Sequence, residues 1–146
     1  TDANFQGADL RNANLQRTLL SGTNFINANL RDATLYLAKL FETELRGANF
    51  INVDITNSIF RPASVPDSGL LINLRGILTV RLNNTEEYVR HHRNATNTSS
   101  NVSGLVLLRK SLREGGIRDL ERETTFKIEQ WKTENSTDIE KLFKKI

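Results

Sequence analysis

The sequence predicts a mainly β solenoid over residues 1–65 followed by a small α-helical module over residues 66–146. Three observations carry that reading. A large apolar residue recurs at every fifth position from Phe5 to Val65. A small residue stands two places before each of them, with Val53 the exception. After Pro66 the five-residue beat gives way to stretches with helical spacing.

On an α-helix a step of five residues rotates the side chain by about 140°, which would scatter Phe5, Leu10 and Leu15 around the cylinder. On a flat strand the same step alternates faces. A short extended segment followed by a bend does fit, because residues two apart on an extended segment point the same way. Each bend then turns the next segment so that its small and large residues also face inward, and the chain winds around its own core. Large residues of successive coils are expected to stack: Phe5 on Phe25 on Leu45, Leu10 on Leu30 on Phe50, Leu15 on Leu35 on Ile55, and Leu20 on Leu40 on Phe60. Coils at strand spacing, about 4.8 Å, leave little room inside, which accounts for the Ala, Thr and Ser of the second inward position. Val53 is larger and is expected to bulge.

The stretches "GADLRNANL", "NANLRDATL" and "GANFINVDI" resemble the A(D/N)LXX motif of the pentapeptide-repeat family. The resemblance covers residues 1–65 and implies a right-handed, four-sided β-helix with about 20 residues per coil, hence about three coils. It also implies terminal caps over the open ladder, and the downstream module is expected to be one of them.

The residue between each inward pair points outward and is polar in Asn4, Asp9, Asn14 and Asn29. Leu19 and Ile59 break that rule on one side of the coil, with Lys39 between them and Tyr36, Leu37 and Phe41 at its border. Leu19, Tyr36, Leu37, Phe41 and Ile59 therefore form the candidate interaction face, to be covered either by a partner or by the chain's own C-terminal helices.

In the second half, Pro66-Asp67-Ser68-Gly69 reads as a turn between modules. Leu70, Leu74, Ile77, Leu78 and Leu82 follow helical spacing. Asn84 with Glu87 reads as a capping pair before "EEYVRHHR". "RNATNTSSNVSG", residues 93–104, reads as a polar, mobile loop. Three helical stretches are expected after it. The first starts at Ser103 and ends at "REGG", the second carries Ile117, Leu120, Thr124, Ile128 and Trp131, and the third starts at Thr137 and carries Ile139, Leu142, Phe143 and Ile146. The sequence holds no Met, and the last apolar stripe runs to the final residue, so the chain reads as a fragment or processed product.

No catalytic, cofactor-binding or metal-ligating residue is read from the sequence. With no Cys there is neither a disulfide nor a thiolate, which suits a cytoplasmic setting. No apolar run approaches the ~18 residues that cross a bilayer. His91 and His92 are adjacent, so on a helix they diverge by about 100° and make a poor chelate. Sequons occur at Asn83, Asn94, Asn97, Asn101 and Asn135, but short matches are cheap in a chain this rich in Asn, Ser and Thr. Arg109, Lys110, Arg113, Arg118 and Arg122 are interleaved with Glu114, Asp119, Glu121 and Glu123, which fits a solvated surface better than a nucleic-acid site.

The expectation is a non-catalytic scaffold that offers a rigid surface to a protein partner, with self-association compatible with such a surface. Two alternatives come from family resemblance. "LLRKSLREGGIRDLERETTFKIEQWK" is similar to a helical hairpin that follows pentapeptide repeats in some bacterial proteins with a membrane-embedded C-terminal region, with Phe126 and Glu129 on its aromatic and glutamate positions. That similarity implies a cytoplasmic module of a channel-like, membrane-associated protein, tethered through residues beyond Ile146. The other alternative is a DNA mimic that binds a type II topoisomerase. It needs dense negative charge, whereas residues 1–65 hold six acidic and six basic side chains.

Overall fold

The computed structural model describes residues 1–82 and 102–143, with side chains described as far as Glu134. Its elements are two short parallel strands, β1 (Lys39–Phe41) and β2 (Ile59–Arg61), two 3-10 turns at Ser68–Leu70 and Ile77–Thr79, and two helices, α1 (Ser103–Glu114) and α2 (Arg118–Phe143).

Parallel bridges join each outward residue to the one twenty places on: Asn4 to Asn24, Asp9 to Asn29, Asn14 to Thr34 and Leu19 to Lys39, then Asn24 to Glu44, Asn29 to Asn49 and Thr34 to Asp54. The ladder runs both ways at each rung. The Phe5 N–H donates to the Asn24 carbonyl at 2.8 Å, and the Asn24 N–H returns to the Ala3 carbonyl at 2.9 Å. Between rungs the chain turns: the Ala8 N–H reaches the Phe5 carbonyl at 3.0 Å, and the third residue of the turn, Gly7, has φ +68°. That is the backbone signature of a type II turn. The positive φ recurs at twelve positions spaced by five, from Asp2 to Asn57.

The expected inward set is buried from Leu20 to Phe60, while Phe5, Leu10, Leu15 and Val65 are partly buried against it and Ala63, where the repeat breaks off, is exposed. Phe25, Leu30, Leu35, Leu40, Leu45, Phe50, Ile55 and Phe60 lie inside with Ala28, Ala33, Ala38 and Ala48. Phe5 stacks on Phe25, ring centres 5.5 Å apart and planes 13° from parallel. Thr18 and Thr43 turn their hydroxyls onto the carbonyls of Leu15 and Leu40, whereas the buried hydroxyls of Thr23 and Ser58 at the same inward position make no hydrogen bond. Val53 is fully buried without the expected bulge, since Thr34 still bridges Asp54 in the regular register.

Residues 70–82 do not form the expected helix. They lay down one more coil on the third: the N–H groups of Phe50, Ile55 and Phe60 donate to the carbonyls of Leu70, Arg75 and Arg81 at 2.8, 2.9 and 3.1 Å. Bridging partners are here Asp54 with Arg75 and Ile59 with Arg81, 21 and 22 residues apart, so this coil is longer than the others. Leu71, Leu74, Ile77, Val80 and Leu82 fill it. Positive φ at Asn73 (+56°) and Gly76 (+96°) is incompatible with a continuous α-helix, and the third coil's open backbone supplies partners that a helix would forgo. Leu78, placed on the expected helical stripe, is instead 46% exposed.

The helices cover this last coil. Leu105, Leu108 and Leu112 of α1 are fully buried, and Ser111 Oγ donates to the Pro66 carbonyl at 2.8 Å. α2 packs on α1 and on the 77–79 turn, burying Thr124, Ile128 and Trp131. The "REGG" stop holds: Gly116 has φ +69°, and the Ile117 N–H closes on the Leu112 carbonyl at 3.0 Å. Ser103 and Gly104 already belong to α1, so the predicted loop does not extend to residue 104; its remainder up to residue 101, with the Asn84–Glu87 pair, lies outside the described residues. The expected second and third helices are one, Arg118–Phe143, because nothing after Gly116 is a Gly or Pro and Thr137 has no break to cap.

Candidate interaction face

The outward residue of each repeat has a structural task that its polarity alone does not disclose. Side-chain oxygens of Asn4, Asp9, Asn14, Asn24, Asn29, Asn49 and Asp54 each accept the backbone N–H two residues on, at 2.9–3.2 Å. These Asx turns hold the corners on three sides of the coil. On the fourth side the outward residues are Leu19, Lys39 and Ile59, none of which has a side-chain acceptor. Pairing there runs on for three residues instead, as β1 and β2.

The corners agree. Nine of the twelve left-handed positions hold Gly, Asn or Asp, the residues that tolerate φ > 0. The other three are Arg17 (φ +57°), Leu37 (+57°) and Glu42 (+55°), and all three bound the side that carries Leu19 and Lys39. Both regularities were present in the sequence, as Asn or Asp one place before a large apolar residue and as Gly, Asn or Asp two places after it, and the reading by burial alone passes over the second.

Four of the five residues singled out from the sequence gather here as surface: Leu19 is 52% exposed, and Tyr36, Leu37 and Phe41 are half-buried. Ile59 is not surface. It is 4% exposed and lies in β2, the strand against which α1 packs. Next to it Arg61, 8% exposed, sets its guanidinium 4.9 Å from the centre of the Phe41 ring. The chain thus covers one end of this side with its own elements and leaves the Leu19 end open.

On the helices several charges pair with one another. Glu121 accepts from Arg113 at 2.7 Å and Arg118 at 3.5 Å, and Lys110 with Glu114, Arg122 with Asp119 and Lys132 with Glu129 are also paired. The hydrogen bond from Arg113 holds the Glu121 carboxyl below the ordinary glutamate range. Among the described residues no three His, Cys, Asp or Glu side chains gather as a metal site, and no helix is long and apolar enough to cross a membrane. His91 and His92 lie outside the described residues.

A family model for pentapeptide repeats matches residues 3–40, in eight copies. Residues 3–40 of the chain are pentapeptide repeats. None of the curated proteins compared matches the chain. Pentapeptide repeats imply a β-helix, and the stacking of this one outlasts the recognisable motif: the match stops at Leu40, whereas the inter-coil ladder continues to Arg81. The helical hairpin lies outside the match.

Proposed function

We propose that this chain is a non-catalytic scaffold, a four-sided β-helix capped by a helical hairpin, which receives a protein partner on the side carrying Leu19, Tyr36, Leu37 and Phe41. One observation carries the reading: this side gives up both devices that hold the other corners, Asx turns and Gly/Asn/Asp at φ > 0, and shows an open leucine in their place. Departures from otherwise uniform local rules concentrate where a surface is used. DNA mimicry is disfavoured, because residues 1–82 hold seven acidic and eight basic side chains and generate no duplex-like field.

The test is co-purification of crosslinked complexes from an extract of the source organism, comparing the natural chain with Leu19→Asp and Lys39→Glu. Loss of a specific complex with an unchanged thermal melt supports the assignment. Complexes that survive both substitutions remove this side from consideration.

A further inference from the structure

We draw no further inference here: the strongest candidate, the apolar surface patch of Leu19, Tyr36, Leu37 and Phe41 on the fourth side of the coil, belongs to the face already described, and with Asp2 and Glu42 at one of its corners offsetting Arg17 and Lys39, nothing in the structure shows what chemistry of partner covers it.

Discussion

Gly104 lies so close to Pro62 that a Cβ built on the glycine would sit 2.6 Å from the proline Cδ. Gly115, eleven residues along and capping the end of α1, meets Ser68 in the same way at 2.3 Å. Two missing side chains thus set how near the capping helix comes to the last coil. Alanine at 104 would gain at most about 1 kcal/mol of helix propensity and suffer an overpacking cost of about 1–3 kcal/mol. Gly104→Ala is therefore expected to lower the midpoint of thermal unfolding; a raised midpoint would show that the cap can shift without loss.

Gly76 is the more severe case. Its φ is +96°, and a Cβ there would lie 2.4 Å from the Thr56 nitrogen and 2.6 Å from its Cα, backbone atoms of the coil beneath. Gly76→Ala should cost about 3 kcal/mol or more in urea unfolding, through strain and loss of the final coil's ladder. Gly7 has a similar positive φ (+68°) with nothing within 4 Å, so Gly7→Asn is expected to stay within about 1 kcal/mol of the natural chain.

Ser64 repairs the ladder where Pro62 and Pro66 draw the chain off register. Its hydroxyl oxygen accepts the N–H groups of Leu45 and Arg46 at 2.9 and 3.1 Å and donates to Glu44 Oε2 at 2.7 Å. In the preceding coil the equivalent acceptor is a backbone carbonyl, that of Glu44 for the Phe25 N–H. Ser64→Ala leaves two backbone donors without this acceptor, at an expected cost of about 1–3 kcal/mol, and faster amide exchange at Leu45 and Arg46 is the local readout.

Glu121 joins the two helices across their turn through Arg113 and Arg118. The hydrogen bond from Arg113 depresses its folded-state pKa below the ordinary 4.5. A depressed carboxylate stabilises the fold above the unfolded pKa and loses that contribution as pH falls through the folded value. The stability difference between the natural chain and Glu121→Gln should therefore be full near neutral pH and shrink below about pH 4.5 in urea titrations. A pH-independent difference would mean that the ion pairs add nothing beyond packing.

Arg17 is an exposed residue at φ +57° where most equivalent corners hold Gly, Asn or Asp. Arg17→Asn should raise stability by about 0.5–1 kcal/mol in urea unfolding, and an unchanged or lowered midpoint would show that arginine costs nothing at this corner.

The alternation of large, small and outward residues is decided locally and then repeated, so the inward set from Phe5 to Phe60 was legible in the sequence. The same five-residue arithmetic brought Leu19, Tyr36, Leu37 and Phe41 to one side, and the stop at Gly116 followed from residue chemistry. Residues 70–82 were different. Their apolar positions suit an α-helix, a 3-10 turn or a coil about equally well, and only the third coil's unpaired N–H and carbonyl groups, brought beside them by the winding of the chain, decided among these. The burial of Ile59 was settled in the same way. Outward placement follows from its position in the repeat, but exposure depends on what packs over it, and that depends on α1 returning to β2 from far along the chain.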